Sequence, residues 1–322
     1  MSTQPTDGGG LTVTAVICTR NRADWARRAL ESLVAQDLDH DRFDVLVVDN
    51  GSTDDTAAMA QAVAGLHANV RWCSEPEAGL SRARNRAIDE ARGDILAFLD
   101  DDAVAYPSWA RLHLEAFETD TTVLATGGPI ILEWPDGRPS WLPEEHDSMY
   151  AALDLGSEPQ TFAGPPFPFG ANMAIRRDAF DAVGRFSVDL GRRDTNLVSG
   201  EERDLLERVH TAGARIIYIP LVPVIHHVLP DRTRWRWLLR RFFDQGRSKV
   251  LIDDVRSRHG RPYWLRRGGL QLARSVGWAG QAIGRAIVLR PWVDVIRALT
   301  AAAKAAGTAW ECLWVTARRP TR

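Results

Sequence analysis

In the first hundred residues, apolar runs repeatedly stop at a polar cluster, and this repetition narrows the possible folds more than any other feature. Residues 11–18 (LTVTAVIC) end on Thr19-Arg20-Asn21-Arg22, residues 43–48 (FDVLVV) on Asp49-Asn50-Gly51-Ser52-Thr53-Asp54, and residues 94–99 (DILAFL) on Asp100-Asp101-Asp102. Residues 69–73 read as a further short strand. Between them, residues 23–36 place Trp25, Ala29, Leu33 and Ala26, Leu30, Val34 at helical spacing, and residues 54–65 and 79–92 follow suit. The 54–65 helix opens on Asp/Thr capping chemistry. Helices alternating with near-continuous apolar strands predict an α/β fold with a mostly parallel sheet covered on both faces. Right-handed crossovers then bring the polar clusters to one sheet edge, where such folds bind ligands.

A chain of 322 residues exceeds one average domain without reaching two, so one domain with an appendage is expected. Its 45% hydrophobic and 25% charged residues exclude collagenous, low-complexity and wholly disordered chains. Cys18, Cys73 and Cys312 are too scattered for a disulfide framework or a zinc site, which fits a reducing cytosol. Residues 1–10 read as a disordered polar leader without the pattern of a secretory signal. No run of 18 apolar residues suggests a membrane span.

The net charge of −2 conceals a division. Residues 226–322 hold 20 Lys+Arg against 6 Asp+Glu, a balance of +14, so the first 225 residues carry −16. Seven of the 12 tryptophans also fall in the basic part. Val276, Ala279, Ile283 and Ile287 share one helical face, as do Val295, Leu299, Ala303, Ala306, Trp310 and Leu313. Residues 231–322 therefore read as amphipathic helices that meet an anionic membrane surface, or that pack on the catalytic domain or a second subunit of a homo-oligomer. Without a nucleic-acid-binding motif, a nucleic acid partner is not expected. Residues 128–170, rich in proline and tryptophan, read as an irregular covering segment.

Alone, three consecutive aspartates read as a solvated turn or helix cap. In an extended segment, however, Asp100 and Asp102 point the same way and suit one hard divalent cation, while Asp101 points to the other side. Asp49 and Asp54 flank a second strand end, and Arg20, Arg82 and Arg84 supply cations for phosphates, which shifts the balance towards a ligand site. The loop after the first strand lacks the G-x-G-x-x-G of a dinucleotide site.

The segments VICTRNR (16–22), VVDNGSTDDT (47–56), GLSRARNRA (79–87) and FLDDDA (98–103) occur in order and resemble the nucleotide-sugar half of family 2 glycosyltransferases with the GT-A fold. GANMAIRR (170–177), SGEERDL (199–205) and YIPLVPVIH (218–226) extend the resemblance through the acceptor half, giving coverage of about residues 11–250. It implies a catalytic domain over 11–230, divided at 127/128 into donor and acceptor halves, with the basic extension at 231–322. The implied activity is inverting transfer of a sugar from a nucleoside-diphosphate sugar, a UDP-sugar, to an acceptor hydroxyl on a glycan, lipid carrier or small metabolite. The implied metal is Mn²⁺ or Mg²⁺, held by Asp100, Asp102 and His226. Glu202 matches the base, with Glu201 as the alternative. Thr19, Arg20, Asn21, Asp49, Asn50, Asp54, Arg82, Arg84, Asn85, Asp100 and Asp101 would serve the donor, and Asn172 and Arg176 the acceptor. Asp204 fits a helix-surface or capping role as well as a catalytic one, the former being favoured, and His227 fits a surface or packing role. A cytoplasmic enzyme, peripheral on the inner membrane face, is the expected setting. The rival is a non-catalytic membrane-associated binding or scaffold protein on a degenerate transferase domain.

Overall fold

The computed structural model describes residues 10–318 apart from 194, 195, 258, 289 and 290; residues 1–9 of the expected leader lie outside the described residues. The chain opens with β1 (Val13–Thr19), α1 (Ala23–Val34), β2 (Phe43–Asp49), α2 (Thr56–Leu66), β3 (Val70–Ser74), α3 (Leu80–Glu90) and β4 (Ile95–Phe98). These elements follow the expected order, with ends shifted by one or two residues. β3, β2, β1 and β4 lie side by side and parallel. β1 and β4 are buried almost throughout, as strands covered on both faces must be.

The sheet then becomes mixed. After β5 (Ala103–Ala105), α4 (Trp109–Thr119), β6 (Val123–Gly127), β7 (Ile130–Glu133) and β8 (Gln160–Thr161), β9 (Met173–Arg176) inserts antiparallel between β4 and β6. α5 (Arg177–Val183) and α6 (Glu201–Thr211) follow, then β10 (Arg215–Tyr218) and β11 (Val224–His227). The apolar stretch from 215 to 227 thus forms two strands in different sheets. Pro220 and Pro223 lie in the break between them, where neither donates a ladder hydrogen bond. β10 joins the eight-stranded main sheet beside β6, whereas β11 lies between β5 and β7 in a small second sheet.

The basic extension forms α7 (Trp235–Arg256), α8 (Arg261–Ile287) and α9 (Trp292–Arg318). α7 and α9 dock on the covering segment through a cluster of Leu142, Tyr150, Val228, Leu238, Phe242 and Ile296. The buried face of α9 runs through Val295, Ala298, Ala302, Ala305, Ala309 and Cys312, while Trp310 and Leu313 face outward. This departs from the expected stripe because close helix contact selects small residues. A Cβ on Gly307 would overlap the Phe243 carbonyl oxygen, and one on Gly246 would overlap that of Lys304. Backbone meets backbone here, and only glycine fits. α8 packs on α9 but leaves Val276, Ile283 and Ile287 exposed, at 67%, 62% and 73%. Among the described residues, no helix is long and apolar enough to cross a membrane.

Candidate active site

The C-terminal ends of β1, β2 and β4 converge on a cavity of about 540 Å³ that also touches the start of α6, β11 and α7. Asp101 and Asp102 lie in a tight turn between β4 and β5, closed by the Ala103 amide donating to the Asp100 carbonyl at 3.0 Å. The expected extended geometry is therefore replaced by a turn, yet the acidic groups still converge. The β5–β11 ladder pairs His226 with Ala103, and the His227 amide donates to the Asp102 carbonyl at 2.8 Å. Register across more than 120 residues thus delivers the histidine to the aspartates.

Asp100, Asp102 and His226 each bring a ligand atom within 4.8 Å of the other two. Two carboxylates and an imidazole suit a hard divalent ion, and the nitrogen favours Mn²⁺ over Mg²⁺. His226 Nε2 lies 2.9 Å from Asp102 Oδ1, and its buried Nδ1 has no hydrogen-bond partner among the described residues. The donor set fits a metal. Burial opposes ionisation of Asp102, but His226, Arg232 and Arg22 hold its carboxyl well below the usual range. Asp101 belongs elsewhere: it accepts from the Thr19 hydroxyl at 2.9 Å and from Arg22 at 2.7 Å. Burial, opposed by Arg22, raises its pKa.

Across the cavity, Gly200 (φ +111°) turns the chain into α6 and sets Glu201 and Glu202 on its first turn. The guanidinium of Arg84, only 2% exposed, lies 2.9 Å from Glu201, 3.1 Å from Glu202 and 3.6 Å from Asp100. Burial and the charge of Glu202 push Glu201 up to about 8. Burial also acts against Glu202, yet Arg84, backbone amides and the Glu201 hydrogen bond hold it below the usual glutamate range. The two environments therefore push the carboxyls apart, Glu201 towards the protonated form and Glu202 towards the carboxylate.

Thr19, Arg20, Asn50, Asp100, Asp101, Asp102, Glu201, Glu202 and His226 all line the cavity. Other expected site residues are built into the scaffold. Asn172, expected at the acceptor, is fully buried: it accepts from Trp109 Nε1 at 2.8 Å and donates to the Pro129 and Val222 carbonyls. Arg176 pairs in register with Ile95, at the far end of β4 from Asp100, and contacts Asp178 and the Thr121 carbonyl. Asn85 is held by both backbone groups of Phe186, Asn21 accepts from the Thr53 amide, and Asp54 accepts from Thr56 at the start of α2. Asp49 receives the Ser52 amide beside Thr19, and Arg82 pairs with Glu77. Arg84 is a strut joining the two acidic groups. Asp204, read as a bland helix residue, is buried between Arg208 and Arg256, and the His227 ring packs tilted against Trp25 with centroids 5.2 Å apart.

Three cations escaped sequence reasoning. Arg22 lies 2.9 Å and Arg232 3.1 Å from Asp102 Oδ2, and half-buried Arg241, pushed down to about 10 by desolvation, donates to the Leu197 carbonyl and Ser199 Oγ. Arg22 lay within a segment already singled out, TRNR, but nothing in the linear sequence tied Arg232 or Arg241 to the site.

An α/β sheet edge carrying such a site is the architecture of the GT-A fold, and known glycosyltransferase structures share it. A mannosyltransferase from Pyrobaculum calidifontis in complex with GDP-Man and Mn²⁺ superposes with a TM-score of 0.57 at 20% identity, over 98% of this chain and 77% of that one. GalNAc-T7 with UDP, GalNAc and Mn²⁺ gives 0.52 at 18% identity, over 69% of this chain but only 45% of the other. Residues 14–184 match the model of glycosyl transferase family 2, and the chain belongs to that family. The glucosyl-dolichyl phosphate glucuronosyltransferase of Haloferax volcanii is 27% identical over 244 residues, covering 75% of this chain and 77% of its own. The succinoglycan biosynthesis protein ExoM of Rhizobium meliloti is 28% identical over 271 residues, covering 83% and 80%. The protein is a glycosyltransferase, and the scaffold alternative is set aside.

Proposed function

We propose that this glycosyltransferase is metal-dependent and inverting, moving a sugar from a UDP-sugar to the hydroxyl of a lipid-linked acceptor at the inner face of the cytoplasmic membrane. One observation carries the reading: Asp100, Asp102, His226 and Glu202 line one cavity, with Arg84 bridging Asp100 to Glu202. Asp100, Asp102 and His226 would hold Mn²⁺ or Mg²⁺, which supplies Lewis-acid stabilisation of the leaving diphosphate. Glu202, ionised and partly accessible, takes the acceptor proton as its oxygen bonds to the anomeric carbon and the bond to the diphosphate breaks on the opposite face. Glu201 keeps its proton and donates to Glu202, while Arg84 fixes the direction of both carboxyls. Thr19, Arg20 and Asn50 line the donor side, with Asp49 placed beside Thr19 to meet a uracil imide.

The relative named for a glucosyl-dolichyl phosphate substrate supports a lipid-linked acceptor. So does the exposed apolar face of α8, which an interface would cover. We further propose that residues 11–230 form the catalytic domain and 231–322 the helical extension.

UDP affinity measured with and without Mn²⁺, in wild type and Asp102→Asn, tests the metal. The metal should tighten binding only in wild type; four equal affinities would remove it from the scheme. A panel of nucleotide sugars, read as released UDP or GDP, tests the donor, and release of GDP alone would overturn the UDP assignment.

A further inference from the structure

We propose that the groove between α7, α8 and α9 is a phosphate site for the acceptor, in which Lys249 and Lys304 grip a phosphate group on the molecule whose hydroxyl reacts at Glu202. The proposal rests on the glycosyltransferase reading of the catalytic cavity and adds an anchor for the acceptor outside it.

These are the only two lysines in a chain with 40 basic residues, and both line the catalytic cavity together with Glu202. Both also line a second cavity of about 610 Å³ within the extension, so the two cavities meet at the lysine pair. Arg267, Gln271, Arg274 and Trp278 contribute to the second cavity, and among the described residues no carboxylate lines it. Arg267 is already committed to Asp253 at 2.7 Å. Neither lysine has a carboxylate within ion-pair distance among the described residues.

The crowding is imposed by the backbone. Gly246, one turn before Lys249, lies directly against the Lys304 carbonyl, and Thr308 Oγ1 donates to the Gly246 carbonyl at 3.2 Å. Burial and the charges of Lys249 and Arg203 all disfavour the charged form of Lys304. Uncompensated like charges at a tight helix contact raise the energy of the fold, and a bound anion relieves them. A phosphate accepts several hydrogen bonds at once and so matches a cluster of ammonium and guanidinium donors better than a single carboxylate. Trp278 provides an apolar flank, and α8 continues outward with its exposed apolar face.

Either a lipid-carried phosphate or a soluble sugar phosphate has this chemistry. The test uses the full chain saturated with UDP and Mn²⁺, so that the donor site is filled, and titrates it with decyl phosphate below its micelle concentration, decanol and inorganic phosphate. Decyl phosphate should bind at least about tenfold more tightly than decanol, and the Lys249→Gln/Lys304→Met double variant should lose that preference. Unchanged UDP affinity in the variant reports an intact fold, and Lys249→Gln alone, at an exposed position, should show a smaller loss in the same direction. Equal binding of decyl phosphate and decanol by wild type, or an unaltered preference in the variants, overturns the site. Inorganic phosphate competing as well as decyl phosphate assigns a soluble acceptor, and much weaker competition assigns a lipid-carried one; both uphold the phosphate site. Failure of UDP and GDP to bind wild type would strike the transferase reading alone, because loss of the decyl phosphate preference in the lysine variants scores the pair with or without nucleotide.

Discussion

The sheet unit and the helical extension are built on opposite principles. In the sheet unit, parallel strands are buried on both faces, and their ladders fix which residues reach the ligand edge. In the extension, α7 and α9 meet through glycine and alanine, and the contact depends on how closely two backbones approach. The charges are opposite too, −16 against +14, and three arginines of the extension pair across to the sheet unit. Arg232 pairs with Asp102, Arg256 with Asp204 at 3.0 Å, and Arg297 with Glu145 at 2.6 Å. A basic segment that reads as a surface for an outside partner also neutralises the acidic site of its own chain. What remains unspent, the lysine pair and the outer face of α8, is where an outside anion has room.

The comparison breaks or sharpens under four changes. The largest effect is expected in the sheet unit's chemistry: Glu202→Gln should lower the turnover number by about 10²–10⁴-fold, measured as sugar transfer, with UDP affinity unchanged. Retained turnover would move the base elsewhere. Acid should loosen the sheet unit next. His113 is fully buried between Thr126 and Asn172, and burial lowers it from 6.5 to about 4. The folded protein holds this proton less tightly than the unfolded chain. Its contribution is therefore complete above pH 6.5 and lost as pH falls towards 4, amounting to about 3 kcal/mol. A His113→Gln variant that keeps the wild-type acid dependence of denaturant unfolding would assign the loss to other groups.

In the extension, Gly307→Ala should destabilise by roughly 2–3 kcal/mol, because its Cβ meets the immovable Phe243 carbonyl. The same substitution at Gly280, which has open space around it, should be neutral or stabilising by up to about 1 kcal/mol. Thermal unfolding of the two variants separates a backbone contact from ordinary helix propensity. The smallest effect on stability, within about 0.5 kcal/mol, is expected for Val276→Asp/Ile283→Asp on the open face of α8. That variant should nevertheless float poorly with anionic liposomes. Flotation equal to wild type would remove α8 from the membrane and leave its apolar face to another partner. Deleting the extension answers neither question, because Ile296 and Phe242 belong to the cluster that covers the catalytic domain.

Much of the sheet unit was legible because its signals are local. An apolar run followed by a polar cluster specifies a strand and its edge without knowledge of distant residues, and Asp100, Asp102, Thr19 and Asn50 line the cavity at that edge. Glu202 and His226 were legible only through family resemblance, since α6 and β11 reach the site by tertiary register. Asn172 and Arg176 show the reverse: they sit in a matched motif, and the antiparallel entry of β9 buries one and carries the other to the far end of β4. In α9, several helical stripes were compatible with the spacing, and the buried one could not be chosen without knowing that its partner approaches at glycine distance.

The linear chain by itself determined the alternation of strands and helices, the acidic edge and the division of charge, because each is encoded within a few neighbouring residues. Tertiary structure alone decided which cation meets which carboxylate, which glutamate keeps a proton, and where two lysines are forced together. Those outcomes depend on distances between segments far apart in sequence, and electrostatic energy follows distance in space.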